Sequence, residues 1–354
     1  MTSGGAWLYD AVGMRAIYSG ILVVLGTLVM GGLVGADEPA AAPKGPRTIQ
    51  VALDGTGEFT SIQQALDAAG KGDTIRVKAG AYPEDVTIHS KDGVKLIGEA
   101  ADRVTILGKD RVGVLHVGKW PYGATNIEIS GVTINEHGGH AVGMFNGRGI
   151  VLRELKIKGM LFAQQVQDVR VERCDISGSE TTGVQFANSQ GVVIGNYIHD
   201  SDHGVNVAGR SVVRIEQNLI ARQLFDAVVV MDDGQATVAN NTFVKNGGGA
   251  SFLARSHSEV TGNVVSLNQV GFTVAPTSTV AFSHNALSNT HANYARPGTP
   301  PQAAPELAVE TDVLANPGFL DPAADDFRLR HDSPLLNITG FAYLGAFAPV
   351  ASVQ

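Results

Sequence analysis

Five segments on one beat decide the fold: Val193-Ile194-Gly195-Asn196-Tyr197-Ile198, Ile215-Glu216-Gln217-Asn218-Leu219-Ile220, Val238-Ala239-Asn240-Asn241-Thr242-Phe243, Val260-Thr261-Gly262-Asn263-Val264-Val265 and Phe282-Ser283-His284-Asn285-Ala286-Leu287. Successive column Asn residues stand 22, 23, 22 and 22 positions apart. An apolar residue three positions before each Asn, and another two after it, mark strands that face a core on both flanks. Farther along each unit lies a third strand-like patch, at 204–207, 227–230, 249–252 and 271–274. Three short strands and no helix in each period are too little chain for a helical repeat or a propeller blade, and predict one coil of a β-solenoid. Equivalent residues of successive coils then stack ~4.8 Å apart. An Asn in every coil can pass its side-chain amide hydrogen bonds to the next, which predicts a structural role for these five residues.

The same register runs back through Cys174, Leu155 and Val132, with Val171, Leu152 and Ile129 three positions before them and Ile176, Ile157 and Ile134 two after. The column therefore changes from apolar to amide along the axis. Only 19 residues separate Leu155 from Cys174, so that coil is expected to have a shortened turn. These column positions predict an all-β parallel β-helix of at least eight coils.

Composition agrees. Forty-three Gly and 17% charged residues in a chain of 354 suit tight turns and buried walls. A continuous repeat argues for one elongated domain where length alone would allow two. A net charge of −8 without any basic run argues against nucleic acid as a partner. The single cysteine rules out an internal disulfide, and its place in a core column predicts an inert buried thiol.

Residues 17–34 form an apolar, Gly-rich run after Arg15, and Val34-Gly35-Ala36 has the small residues of a signal-peptide cleavage site, so 1–36 reads as an export signal. If retained, the run could anchor the chain in a membrane. In both cases the folded part lies outside the cytoplasm. Residues 37–47 read as a linker, 48–348 as a single β-helix domain and 349–354 as a tail.

Near the start of the domain, Thr60 with Gln63 forms a capping box, and Ile62, Ala65, Leu66 and Ala69 line one face of a short amphipathic helix. A solenoid must cover the open ends of its core, and this helix is expected to cap the first coil. After Asn289 the rhythm stops; 296–301 reads as a loop and 312–330 as a return that covers the C-terminal end.

The segment Asp54-Gly55-Thr56-Gly57-Glu58-Phe59, the 62–69 helix and Ile75-Arg76-Val77-Lys78-Ala79-Gly80-Ala81-Tyr82 resemble the N-terminal part of the pectin-lyase-like superfamily. The Asn-x-Ile repeats resemble its carbohydrate-associated β-helix repeats, and Asn316-Pro317-Gly318-Phe319-Leu320-Asp321-Pro322 with Leu344-Gly345-Ala346-Phe347 is similar to the closing segment of its secreted bacterial members. This resemblance, over about 48–348, implies a right-handed parallel β-helix. It carries over no complete catalytic pattern. The Asp-Phe-Ile-Phe-Gly segment of pectin methylesterases and the Trp-Ile-Asp-His and Arg-x-Pro-x-x-Arg patterns of pectate lyases are absent. Ser201-Asp202-His203-Gly204-Val205, followed by Phe225-Asp226-Ala227-Val228, matches the polygalacturonase pattern only in part.

Most of the candidate chemistry falls in the turn between the Asn column and the third strand. One coil places His199, Asp200, Asp202 and His203 there, the coil before it Glu180, the coil after it Arg222 and Asp226, and the next Lys245. Glu136, His137 and His140 fall in the same turn three coils earlier. Asp202 and Asp226 are 24 residues apart, which predicts carboxylates about 5 Å from one another, one holding the other protonated as an acid/nucleophile or acid/base pair. Alternatively a carboxylate cluster could hold Ca²⁺ and a uronate together while Lys245 or Arg222 takes the proton beside the sugar carboxylate. Asp200, Arg222 and Lys245, each four residues after a column Asn, can equally form a solvent-exposed charge ladder. His199 with Asp200, Asp202 or His203 is the local metal-ligand alternative, because His140 and His203 are three coils, ~14 Å, apart. Asp232-Asp233-Gly234 reads as a turn.

Two classes of function stay open at this point. One is an exported lyase, hydrolase or epimerase working on a uronate-containing polysaccharide. The other is a non-catalytic glycan-binding or scaffold β-helix of the cell surface or periplasm. Either would be a monomer with polysaccharide as partner and no obligatory cofactor, Ca²⁺ being the candidate ion. With aromatics at 6% of the chain, sugar stacking would fall to Phe162, Phe186, Phe225 or Tyr197.

Overall fold

The computed structural model describes residues 45–109 and 113–349, without the side chains of 136–138. The expected export signal, residues 37–44 of the linker and residues 350–354 lie outside the described residues. Alternating apolar positions in each repeat make strands that bury their inner face only by stacking coil on coil. The outcome is an 11-stranded parallel sheet running from Thr48–Val51 to Thr279–Ser283. Its register repeats the sequence beat: Val193 pairs with Ile215, Ile215 with Val238, Val238 with Val260 and Val260 with Phe282. The facing wall has two short strands per coil, for example Tyr197–His199 then His203–Ala208, and Leu219–Ala221 then Asp226–Val230. Val193, Ile198, Val205, Val207, Ile215 and Ile220 meet in one continuous core and are fully buried. This is the parallel β-helix that the repeat predicts, extended on its N-terminal side beyond the legible columns.

Left-handed residues shape the corners. Gly195, Gln217, Asn240, Gly262 and His284 precede the column Asn, and Asp200, Arg222, Lys245 and Leu267 follow the strand after it, as Gly178 follows the strand after Cys174, all at positive φ. In the short coil Gly159, at positive φ, and Met160 stand where the next coil has residues 178–183, and the flanking strands join into the single strand Lys156–Gln164. That is the shortened turn implied by the 19-residue spacing.

The Asn column is a hydrogen-bond ladder. Nδ2 of Asn196, Asn218, Asn241 and Asn263 donates to Oδ1 of the next Asn at 2.9–3.0 Å. The same oxygens accept the backbone N–H of the preceding Asn. Cys174 N–H opens the ladder on Asn196 Oδ1 at 2.9 Å, and Asp312 ends it by accepting from Asn285 N–H at 2.9 Å. A second amide ladder, which the sequence reading missed, runs one corner later through Gln223, Asn246, Asn268 and Asn289 at spacings of 23, 22 and 21 residues. Buried amides of this kind stabilise only while each partner is present. Cys174 is 3% exposed, and burial pushes its thiol up to about 12, so it is the inert core thiol expected.

Both ends depart from expectation in detail. Helix Ile62–Ala68 packs Ile62, Ala65 and Leu66 onto the first coil, but Ser61, not Thr60, is its N-cap. Ser61 Oγ accepts from Gln64 N–H, and the Glu84 carboxylate takes the N–H groups of Ile62 and Gln63 at 2.7 and 3.0 Å. A carboxylate beyond the helix thus replaces a local capping box. At the other end Leu307 packs against the core. Residues 313–347 do not simply cover that end: Phe319, Phe327, Leu329, Leu335 and Leu344 pack along the side on Ala221, Val244, Val264 and Ala286. Those four residues form an outward apolar stripe that would otherwise meet water.

Candidate acid–base groove

The second corner sends its side chains one way and the turn after it sends them another. Asp200, Arg222 and Lys245 reach toward the side covered by 313–347. Arg222 donates from Nε and Nη2 to the two oxygens of Asp200 at 2.8 and 2.9 Å, from Nη1 to Asp325 at 2.8 Å, and from Nη2 to Tyr197 Oη at 2.8 Å. Lys245 Nζ donates to Asp325 at 2.6 Å. His199 stacks on Tyr197 and bridges Asp175 and Asp200 at 2.9 and 2.6 Å. The Arg222 fork holds Asp200 down to about 2. Burial opposes a charged His199, yet its bonds to Asp175 and Asp200 raise it above its ordinary value. This is the charge ladder foreseen as one reading of Asp200, Arg222 and Lys245, completed by Asp325 from 103 residues beyond Arg222.

His203 and Asp226 face the opposite way. The turn 201–203 has three residues and 223–226 has four, because Ser201 N–H bonds Gln223 Oε1 while Val205 pairs with Val228. The extra residue shifts the register. Phe225 N–H bonds Asp202 O at 2.8 Å, so Asp202 neighbours Phe225, and His203 neighbours Asp226. The Asp202–Asp226 carboxylate pair expected from the 24-residue spacing is therefore not formed; a one-residue slip moves a side chain to the other face. Glu180 is exposed in the turn 179–182 of the preceding coil.

Asp226 is the unusual carboxylate. Its side chain is 23% exposed, Oδ1 accepts from Ser251 Oγ at 2.9 Å, and Oδ2 lies 3.9 Å from His203 Nδ1. Burial pushes this carboxyl above its ordinary value, against the opposing pull of the Ser251 hydroxyl and the His203 ring. The His203 ring packs on Phe225 with centroids 5.2 Å apart. On the same strand as His203, Asn206 Oδ1 is buried and has no hydrogen-bond partner among the described residues. A half-buried acid beside an imidazole can give a proton under conditions where an ordinary carboxyl is already ionised, while the imidazole takes one.

Asp226, Phe225, Ser251 and Leu253 line a cleft of about 670 Å³ closed on one side by the loop carrying Pro297, Pro300 and Pro301. The same face of the wall continues through Val229, Asn206, Gln185, Phe162, Gly143 and His116, each paired with the next. It ends in a second cleft of about 730 Å³ around His116, His140, Phe145 and Trp120. Phe162 and Phe225 thus belong to this groove, whereas Phe186 is fully buried and Tyr197 lies with the charge ladder. His140 sits at the far cleft; the side chains of Glu136 and His137 lie outside the described residues. Among the described residues no three His, Cys, Asp or Glu side chains converge as a metal site. His199 has both ring nitrogens at carboxylates, so it does not fit the metal alternative. Asp232 and Asp233 occupy a turn, with Asp233 bonded to Arg255 at 3.0 Å.

The profile of the right-handed β-helix region matches residues 159–295. A pectinesterase of Petunia integrifolia is 43% identical over 67 residues, 18% of this chain and 18% of that protein, so the chain spans about a fifth of that curated relative's length. Among solved structures, the A-module of the Azotobacter vinelandii mannuronan C-5 epimerase AlgE4 superposes with a TM-score of 0.54 at 16% identity, over 66% of this chain and 73% of that one. Pectate lyase Pel9A superposes with a TM-score of 0.50 at 12% identity, over 86% of this chain and 96% of that one. At such identities these structures share the fold.

Proposed function

We propose that this chain, a parallel β-helix similar in fold to proteins of the pectin-lyase-like superfamily, is an exported enzyme that moves a proton on a uronate-containing polysaccharide, as a lyase or epimerase. The observation that carries the reading is Asp226: a carboxyl raised by burial, lining a cleft and 3.9 Å from His203, on a face of the wall that runs coil by coil to a second cleft. His203 takes the proton from the sugar carbon next to the carboxylate. In elimination the electron pair forms the ring double bond, the glycosidic C–O bond breaks, and the Asp226 proton goes to the departing oxygen. In epimerisation the C–O bond stays intact, the same carbanion takes the Asp226 proton on its other face, and His203 then gives up its proton to water as Asp226 regains one. A hydrolase with two carboxylates has less support, because Asp202 is out of register with Asp226. The relatives named above include a pectinesterase, a mannuronan epimerase and a pectate lyase, which favours a uronate substrate class.

No step is routed through Ca²⁺, since no converging ligand set is present among the described residues. Asp200, Arg222, Lys245 and Glu180 are assigned no part in the chemistry. The test is incubation of the protein with pectin, alginate and neutral glycans, with and without Ca²⁺, following unsaturated uronate ends by absorbance, epimerised residues by NMR and reducing ends by colorimetry. Turnover confined to uronate glycans and lost in Asp226→Asn and His203→Ala is the expected result. Binding without turnover would instead leave a non-catalytic glycan-binding β-helix.

A further inference from the structure

The cleft at the N-terminal end of the groove is held in shape by its own contacts. Gln63 is fixed to the strand below it, accepting Thr87 N–H at 2.7 Å and donating to Thr87 O at 3.2 Å. The His116 and Phe145 rings meet edge-on at 5.9 Å, a fit that needs glycine between them, because a Cβ on Gly143 would lie 2.7 Å from Phe145 and 2.9 Å from His116. His140 lies against Phe162 at 5.1 Å. Beside these rings stands Trp120, 77% exposed, on a turn closed by Lys119 N–H to Tyr122 O at 2.7 Å. A large ring left in water at the mouth of a cleft is a stacking surface for a flat apolar face, such as that of a pyranose.

Lys119 is the cation of this lining, beside the imidazoles of His89, His116 and His140, the last pushed below its ordinary value by burial and by His116. Among the described residues the one carboxylate there, Asp85, already accepts Lys109 N–H at 2.9 Å. The cleft at Asp226 is bordered by Leu224, Phe225, Val270 and prolines. We infer that the Trp120 cleft is an anchoring subsite for an acidic sugar residue, its ring on the indole face and its carboxylate toward Lys119 and the histidines. The inference rests on the uronate-glycan reading for the nature of the chain bound. His140 and Asp226 are four coil steps apart, ~19 Å, so one chain reaches both only if it is several sugar units long. The subsite therefore selects for length, and the reaction falls inside a chain and away from the end held at Trp120.

Trp7 and Trp120 are the two tryptophans of the chain, so Trp7→Phe makes indole fluorescence a report of this cleft alone. Oligogalacturonates and oligomannuronates are titrated into Trp7→Phe/Asp226→Asn, against neutral xylo-oligosaccharides of equal length. A saturable fluorescence change with the acidic sugars, at least about tenfold tighter than with the neutral ones, is expected. Lys119→Gln should weaken it a few-fold and flatten its salt dependence. With active enzyme, Trp120→Ala should raise KM about 3- to 10-fold for long oligomers and leave kcat and short oligomers unchanged. Equal affinity for neutral sugars, or a silent Trp120 in a protein that turns over uronate polymer, overturns the subsite while leaving the proposed activity intact. A fluorescence response in a protein whose wild type turns nothing over sinks the activity and keeps the subsite.

Discussion

Asp200 and Asp226 come from adjacent coils and end in opposite states. Arg222 grips Asp200 with two hydrogen bonds and holds it down to about 2, while Asp226 is raised by burial with only a hydroxyl and an imidazole beside it. What separates them is a corner in the backbone: Asp200 occupies the left-handed position and swings toward Asp325, whereas Asp226 opens the next strand and faces the groove. A charge matched by a rigid guanidinium fork gives stability and little reactivity; an acid left half-buried without a cation costs stability and gains proton-transfer capacity.

The sharpest way to break this contrast is Asp226→Asn. Turnover should fall by roughly 10²- to 10⁴-fold, yet the melting temperature at neutral pH should rise. A carboxyl raised above its unfolded value stabilises the fold below that unfolded value and loses the contribution as pH rises through the folded one, so at neutral pH the amide avoids a burial cost. A lower melting temperature, or retained turnover, would place Asp226 with Asp200 as a structural acid. Asp202→Asn, out of register, should leave turnover within about twofold.

Asn241→Ala sets the scale for a purely structural column. Asn241 Nδ2 donates to Asn263 Oδ1 and Ile215 O, and its Oδ1 accepts from Asn218, so denaturant unfolding should show a loss of roughly 1–3 kcal/mol. An unchanged midpoint would mean that the amides are satisfied elsewhere.

Arg222→Gln should cost at most about 1 kcal/mol, with a smaller effect in high salt, and leave turnover intact. Its pH dependence has a defined window. The Asp200 contribution is present above the ordinary carboxylate value and fades as pH falls toward about 2. The His199 contribution is present below the ordinary imidazole value and is lost as pH rises through its raised one. The His199 shift comes from Asp175 and Asp200, which the variant keeps, so the stability difference from wild type should be full above roughly pH 4 and shrink as pH falls toward about 2; a difference that does not shrink on acidification would show that the ladder charges are uncoupled. Cys174→Ser, far from the groove chemistry, should leave turnover unchanged.

The fold was legible because a stacked coil constrains every position at one period: a displaced Asn would lose its partners in the coils on both sides. The second amide ladder was legible by the same logic, through Gln223, Asn246, Asn268 and Asn289, but its mixed Gln/Asn membership and drifting spacing hid it. Site geometry was less legible. One extra residue in the turn 223–226 moved Asp226 from Asp202 to His203, and nothing in a 24-residue spacing reveals where within the coil that residue is inserted. Nor does local sequence show that Asp325 returns to Arg222 and Lys245, since that contact depends on how 313–347 packs on the apolar stripe of Ala221, Val244, Val264 and Ala286.

The contrast is most directly tested by following the side-chain carboxyl carbons of Asp226 and Asp200 by NMR through an acid titration of the wild-type protein, assigned with Asp226→Asn and Asp200→Asn. Asp226 should titrate above the ordinary carboxylate range and Asp200 near the bottom of the accessible range, at about 2. Titration of both at ordinary values, or of Asp226 below them, would contradict the division between a reactive groove and a structural charge ladder.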